Sequence, residues 1–189
     1  MKTSDTPVFV SRAGLKLEHA IATFGVDVRG WTCADLGCNA GGFVDCLLQR
    51  GAAKVYAIDT GYGALEWKLR KDPRVVVMER TNAMHVQLPE QVDLVTIDVA
   101  WTPQKRILPA AREMLKANGR IITLIKPHYE ADPSLLRKGI LPAEQVEPTV
   151  QNVEKIFQEL ELELLTKTTS PITGTKGNTE MLALLKRVK

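Results

Sequence analysis

Apolar and polar positions alternate regularly along most of this chain. Five short apolar runs predict buried strands: WTCADLG, KVYAID, RVVVME, VDLVTID and RIITLIKP. The stretches before and between them have helical spacing: SRAGLKLEHAIATFG, GGFVDCLLQRG, GALEWKLRKD and PQKRILPAAREMLKANG. Strands that alternate with helices predict βαβ units, in which helices cover both faces of a parallel sheet.

The last third of the chain predicts a different connection. A long helix over VEPTVQNVEKIFQEL is followed by two apolar runs, LELLTKTTSPI and TEMLALLKRV, with no helix between them. Neighbouring strands without a crossover helix should be antiparallel. We therefore expect an α/β fold whose mostly parallel sheet ends in an antiparallel hairpin. No repeat or linker divides the sequence, which predicts one domain over residues 1–189 with a flexible start at 1–8.

The first predicted helix carries two charges that do not stabilise it. Ser11 is a good N-cap residue, and Gly25 is a suitable stop. Arg12 and Lys16 lie in the first turns, one helical turn apart. Cations there oppose the helix dipole, and like charges at that spacing repel each other. Their position therefore indicates a partner anion or a reaction elsewhere in the fold.

Four of the predicted strands end in a charged residue. These residues are Asp35, Asp59, Asp98 and Lys126. Ligands of open α/β sheets bind beyond the carboxyl ends of the strands, so four charges at that edge predict a site. If the last strand runs antiparallel, its start lies at the same edge and adds Glu180.

A glycine-rich turn, DLGCNAGGF, follows the first strand without the GxGxxG spacing of a dinucleotide site. Asp59, at the end of the next strand, suits a ribose diol, and acidic strand ends attract a cationic sulfonium. These features favour S-adenosylmethionine as the cofactor. The predicted cofactor-binding residues are Asp35, Gly37, Asn39, Gly41, Gly42, Phe43, Asp59, Asn82 and Asp98. For Asn82, a place near the adenine and a simple turn are equal alternatives.

Two ammonium groups and two carboxylates are predicted to meet at this edge. They belong to Lys16, Asp98, Lys126 and Glu180. A catalytic set and a pair of structural salt bridges are both open from the sequence. The loop PITGTKGN before Glu180 is basic, and its Lys176 contacts phosphate or simply forms a turn.

Composition restricts the function classes without selecting one. The formal charge of +3 permits a nucleic-acid partner but does not require it. No apolar run is long enough to cross a bilayer, and the N-terminus lacks the apolar core of a signal peptide, so we expect no membrane partner. Cys33, Cys38 and Cys46 have no CxxC spacing and no clustered histidines. That pattern predicts reduced thiols, a cytoplasmic location and no bound metal.

The motifs taken together resemble the FtsJ/RrmJ-type ribose 2'-O-methyltransferases, and more closely their TlyA (hemolysin A-like) branch. The segments that carry the resemblance are SRAGLKL, GGFVDCLLQRGA, YAIDTGYGAL, ERTNAM, TIDVAW, LIKPHYE and SPITGTKGNTEML, in order from about residue 9. It implies a Rossmann-like class I methyltransferase fold with seven strands, one of them antiparallel. It also implies S-adenosylmethionine as the methyl donor, RNA as the substrate, ribosomal RNA first, and a catalytic Lys-Asp-Lys-Glu tetrad at Lys16, Asp98, Lys126 and Glu180.

In that mechanism Lys126 acts on the acceptor hydroxyl, as a base or as an orienting cation, and the sequence leaves both open. Arg12 and Lys176 are the predicted substrate-binding residues, since a phosphate flanks the target ribose.

The chain also departs from the branch. TlyA-like proteins usually carry an N-terminal S4 RNA-binding domain, whereas about eight residues precede the first motif here, and AWTP stands where the branch has SFIS. Three functions therefore stay open: an RNA methyltransferase, a methyltransferase of a small molecule or protein, and a non-catalytic binding subunit whose partner protein recognises the RNA.

Overall fold

The computed structural model describes residues 8–188, which are built around one seven-stranded sheet. The strands are β1 (Thr32–Leu36), β2 (Lys54–Ile58), β3 (Val75–Met78), β4 (Val92–Ile97), β5 (Leu115–Ile125), β6 (Leu162–Thr169) and β7 (Met181–Arg187). Their order in space is β3-β2-β1-β4-β5-β7-β6. The expected flexible start at residues 1–8 lies, apart from Val8, outside the described residues.

Helices cover both faces of this sheet. The α-helices within the described residues are α1 (Ala13–Phe24), α2 (Gly42–Gln49), α3 (Trp67–Arg70), α4 (Gln104–Met114), α5 (Pro127–Glu130) and α6 (Ala143–Glu159). Alternate strand residues point to opposite faces, so Cys33 and Val55 pack under α1 and α2, whereas Ala34 and Tyr56 pack on the side of α4 and α6. No helix within residues 8–188 is both long and apolar enough to cross a membrane.

The strand directions confirm the predicted architecture. Strands β3, β2, β1, β4 and β5 pair in parallel, and β7 lies antiparallel between β5 and β6. The strand order reverses between β1 and β4, which opens a crevice beyond their carboxyl ends. Because β7 runs the opposite way, its first residues lie at that same edge.

The predicted helix over GALEWKLRKD is wrong except for its last turn, since α3 covers only Trp67–Arg70. Backbone donors ahead of α3 are used by distant acceptors instead. Gly63 N donates to Glu79 Oε1 at 2.9 Å, and Glu66 N donates to the carbonyl of Ala40 at 3.2 Å. These long-range bonds hold the stretch as an irregular loop.

Two other boundaries differ from the pattern. The predicted helix PQKRILPAAREMLKANG ends at Met114, because Leu115 already pairs with Val92 of β4 and begins a bulged strand. Helix α6 starts at Ala143, ahead of the predicted VEPTV start. Gly25 does end α1, in the left-handed conformation that suits glycine.

The backbones of helices α1 and α2 approach each other closely at the N-termini of the two helices. The N-cap position of α1 is Arg12, so the prediction that Ser11 caps this helix is wrong. Ser11 instead lies against Gly42 at the start of α2, where a Cβ would overlap Ser11 Oγ and approach Gly14 N at 2.8 Å. The missing side chain of Gly42 therefore brings Arg12 and Lys16 to the sheet edge.

Replacing Gly42 with Ala should push α1 away from α2. Overpacking of this kind destabilises by about 1–3 kcal/mol, which exceeds the gain in helix propensity. Urea unfolding measures the change, and Ser11→Gly in the Gly42→Ala background should restore part of the stability because it removes the nearest atom. A Gly42→Ala variant as stable as the parent would show that α1 is free to move.

Candidate active site

Two adjoining cavities occupy the crevice at the switch point of the sheet, with volumes of about 310 and 240 Å³. The larger lies towards β2 and contains Asp59; we call it the β2-side cavity. The smaller lies towards β5 and contains Lys126; we call it the β5-side cavity. Gly37, Asn39, Asp98 and Ala100 line both. One elongated ligand can therefore extend from one cavity into the other.

Asp59 and Asn82 both line the β2-side cavity. The Asp59 carboxylate is fixed from behind, because Asn39 N donates to Oδ2 at 2.8 Å and Gly61 N donates to Oδ1 at 2.7 Å. Asn82 Oδ1 accepts from Met84 N at 3.0 Å, so this residue forms the expected turn as well as part of the cavity wall. A carboxylate held rigidly at this position suits the two hydroxyls of a ribose.

Asp35 is a buried carboxyl group in the wall of the β5-side cavity. Its Oδ1 accepts from Thr96 Oγ1 at 2.7 Å, while its Oδ2 has no hydrogen-bond partner among the residues described. The pKa of Asp35 is raised to about 7, chiefly by burial and also by the charges of Asp98 and Asp59, while the hydrogen bond from Thr96 lowers it. An unpaired buried oxygen beside a cavity suits a cationic ligand group, such as an amino group or a sulfonium.

All four residues of the predicted tetrad line the β5-side cavity. Lys126 Nζ lies 2.7 Å from Asp98 Oδ1 and donates to the carbonyl of Val99 at 3.0 Å. Lys16 Nζ lies 2.5 Å from Glu180 Oε2. The four predicted residues thus meet as two ion pairs, an arrangement that fits a catalytic set as well as a pair of structural salt bridges.

The counterion of Lys16 lies outside α1 and accounts for the position of this cation in the helix. Lys16 finds no compensation within its own helix, which has no acidic residue in its first turn. Its counterion, Glu180, comes from just before β7, 164 positions along the chain. Lys16 is 7% and Glu180 3% exposed, so the pair is buried and shapes the cavity wall.

The other predicted site residues divide into two groups. Arg12, Asn39, Gly42 and Phe43 line the β5-side cavity. Gly41 and Lys176 line neither of the two cavities.

The glycines serve packing as well as ligand approach. A Cβ on Gly37 would stand 2.7 Å from the carbonyl oxygen of Asp98, and one on Gly41 would overlap the side chains of Leu65 and of Leu69 in α3. Gly37 also has φ +86°, a backbone conformation that favours glycine. Both the backbone conformation and the close packing at this position therefore require glycine.

Three residues near the tetrad were not among the predicted site residues. Trp101 is 79% exposed with φ +61°, and its ring lies 4.9 Å from that of Tyr129, centroid to centroid. Lys126 Nζ lies 5.9 Å from the Tyr129 centroid. Thr96, which holds Asp35, sits within an apolar strand run. A left-handed aromatic residue beside a catalytic candidate is visible only in the structure, because the sequence does not reveal φ.

The seven-stranded sheet and the crevice at its switch point are those of a Rossmann-like α/β methyltransferase. The model of the FtsJ-like methyltransferase family matches residues 9–187, and the chain belongs to that family. Membership implies S-adenosylmethionine as the methyl donor, which confirms the cofactor expected from the sequence.

Named relatives resemble most of the chain. It is 41% identical over 180 residues to YqxC of Bacillus subtilis, named as a candidate rRNA methyltransferase, covering 92% of this chain and 64% of YqxC. It is 38% identical over 190 residues to the Mycobacterium tuberculosis 16S/23S rRNA (cytidine-2'-O)-methyltransferase TlyA, covering 97% of this chain and 70% of TlyA. The chain thus spans about two thirds of the length of these relatives.

Solved structures show the same fold. A candidate hemolysin from Lactococcus lactis superposes with a TM-score of 0.90 at 40% identity, covering 94% of this chain and 88% of that one. A candidate hemolysin from Streptococcus thermophilus superposes with a TM-score of 0.94 at 34% identity, covering 99% and 70%. These names match the hemolysin A-like branch that the motifs resemble.

Asp35→Asn should change how stability depends on pH. The pKa of Asp35, about 7 when folded, lies above its ordinary value of 3.8, so the folded chain holds this proton more tightly than the unfolded chain. Its stabilising contribution is present below pH 3.8 and is lost as the pH rises to 7. Between pH 5 and pH 8 the parent should lose about 2–3 kcal/mol relative to Asp35→Asn, measured by urea unfolding. Parallel pH profiles would contradict this account.

Asp59→Ala should weaken S-adenosylmethionine binding by at least about tenfold, because hydrogen bonds to a charged group contribute about 1.5–3 kcal/mol each. Isothermal titration calorimetry measures the affinity. Asp27→Ala is the matched control, since Asp27 is an exposed carboxylate paired with Arg29 and lines neither cavity of the crevice. If Asp59→Ala stays folded and binds as tightly as the parent, the ribose lies elsewhere.

Proposed function

We propose that this chain transfers a methyl group from S-adenosylmethionine to a ribose 2'-hydroxyl of RNA, with ribosomal RNA as the substrate class. The observation that carries the proposal is the meeting of two lysine–carboxylate pairs in the β5-side cavity, which adjoins the β2-side cavity of the same crevice. The name of the Mycobacterium tuberculosis relative supports the ribose target. Ribosomal RNA as substrate would place the reaction in the cytoplasm.

The residues present fit the cofactor. Asp59 would hold the ribose diol in the β2-side cavity, with Asn82 in the same wall. The unpaired Oδ2 of Asp35, together with Asp98, would face the positively charged part of the molecule in the β5-side cavity. The bound cofactor supplies an electrophilic methyl group on a sulfonium. The protein must then place an acceptor oxygen in line with that methyl group and stabilise its developing charge.

We assign Lys126 to act on the acceptor oxygen. Asp98 Oδ1 and the Val99 carbonyl bind two of the three protons that an ammonium group carries. The third N–H would then donate to the ribose oxygen and hold it in line with the methyl group. As the oxygen–methyl bond forms and the methyl–sulfur bond breaks, the hydroxyl proton would leave to solvent water.

Lys16, Glu180 and Arg12 are assigned to positioning. The buried Lys16–Glu180 pair forms the wall against which the acceptor ribose would lie. Arg12 is exposed at the mouth of the same cavity, where its guanidinium can meet a phosphate beside the target ribose. These assignments explain why both cations of α1 lie in its first turns.

Lys126→Met should abolish methylation while leaving S-adenosylmethionine affinity nearly unchanged, since the amine acts on the acceptor oxygen. A loss of about a hundredfold to ten-thousandfold in single-turnover rate is expected on ribosomal RNA. Alkaline hydrolysis of the product locates the methyl group, because a 2'-O-methylated nucleotide resists cleavage. A methylated base, or full activity of Lys126→Met, would contradict the proposal.

The Lys16→Met/Glu180→Gln double variant is the control for a purely structural role. Removing one member of a buried pair destabilises by about 3–5 kcal/mol, whereas replacing both is often close to neutral. The double variant should therefore keep most of its thermal stability and lose most of its rate. If the double variant keeps the methylation rate of the parent, the Lys16–Glu180 pair has only a structural role.

A further inference from the structure

Two turns share an unusual backbone, and the second of them begins at Gly174 in the wall of the β5-side cavity. Arg137 and Ile140 exchange backbone hydrogen bonds of 2.9 and 3.0 Å around a tip of Lys138 and Gly139, with φ of +54° and +82°. The second turn has Lys176 and Gly177 at its tip, with φ of +61° and +82°. We call residues 137–140 and 174–178 the paired turns.

Lysine is a poor choice for these tips on backbone grounds alone. Tight turns with two left-handed residues prefer Asn-Gly, Asp-Gly or Gly-Gly, because a long side chain disfavours positive φ. Both tips nevertheless place a lysine there, at Lys138 and Lys176. Strained positions of this kind cluster at ligand-binding sites, which indicates that the side chains are needed.

The paired turns are joined to each other. Lys176 Nζ donates to the carbonyl of Lys138 at 3.3 Å. The buried Asn178 accepts from Leu141 N through Oδ1 at 3.0 Å and donates through Nδ2 to the carbonyl of Gly139 at 3.0 Å. Their basic side chains therefore belong to one fixed surface.

This surface is cationic and adjoins the candidate catalytic set. Arg137, Lys138 and Lys176 are exposed, and none of them forms an ion pair with any residue from 8 to 188. Gly174 packs directly on the Glu180 carboxylate and lines the β5-side cavity. Lys176 follows two residues later, within about 7 Å along the backbone. Unneutralised positive charge thus begins at the cavity wall.

We propose that the paired turns bind successive phosphates of the RNA strand whose target ribose enters the β5-side cavity. This inference rests on the proposed function, since it names the surface on which that substrate lies. Two lysines and an arginine on two joined turns supply positive charge for the negative backbone of a nucleic acid, and such contacts position the strand without reading its sequence.

Lys138→Gly and Lys176→Gly test this proposal. Each variant removes one positive charge and also removes the side chain that disfavours the left-handed backbone at that position. The binding of a short labelled single-stranded RNA of mixed sequence is measured by fluorescence anisotropy over a range of salt concentrations. Each variant should lower affinity by about two- to fivefold at low salt. Each should also reduce the slope of log affinity against log salt by about 0.7. The melting temperature of Lys138→Gly should stay the same or rise, because the bond from Lys176 Nζ uses the backbone carbonyl of residue 138 and is kept. S-adenosylmethionine affinity should not change in either variant.

Lys155→Ala is the matched control. Lys155 is exposed on α6, about 18 Å along the helix from its start, and its loss changes the net charge equally. If the Lys155 variant lowers the slope as much as the Lys-Gly variants do, binding follows net charge and the paired turns are not the site.

The remaining outcomes separate this inference from the proposed function. If the parent binds RNA with a clear salt dependence and the Lys138 and Lys176 variants bind equally well, the phosphate surface is overturned and the methyltransferase proposal stands. If the parent shows no salt-dependent RNA binding, both are overturned.

Discussion

The buried ion pair between Lys16 and Glu180 is the contact on which the candidate site depends. It joins α1, near the start of the chain, to the residue before β7, near its end, with 2.5 Å between Nζ and Oε2. Either charge alone in this wall would destabilise the fold by about 3–5 kcal/mol. The antiparallel direction of β7 is what makes the pair possible, because it brings Glu180 to the edge where the parallel strands end.

The two ion pairs of the tetrad differ in a way that separates their roles. The side chains of Lys16 and Glu180 are 9% and 3% exposed, whereas those of Lys126 and Asp98 are 15% and 18% exposed. The first pair is enclosed and sets the distance between elements. The second pair, whose members follow the neighbouring strands β4 and β5, stays accessible from the cavity. The enclosed pair therefore suits a structural role and the more accessible pair suits the proposed chemical role, so the two alternatives left open by the sequence do not exclude each other.

Most of the sheet could be predicted because its signals are local. Apolar runs identify strands, and the missing crossover before β7 identifies its direction, which together bring Asp98, Lys126 and Glu180 to one edge. Features that depend on distant partners could not be predicted. Gly63 N is taken by Glu79, which prevents a longer α3, and Gly42 is needed because Ser11 lies against it. The glycines of DLGCNAGGF were recognised, but the packing reason for them is tertiary.

The carboxylates of the crevice connect the stability of the fold to its ligand. Asp35, Asp59 and Asp98 converge at the ends of three neighbouring strands, and the latter two raise the pKa of the buried Asp35. Without a cation, ionisation of Asp35 works against folding as the pH rises. A cation bound beside Oδ2 favours the ionised carboxylate and stabilises the folded chain by the free energy of that binding. In the proposed cofactor complex, the positively charged part of S-adenosylmethionine would balance negative charge that these three carboxylates bring together at the strand ends.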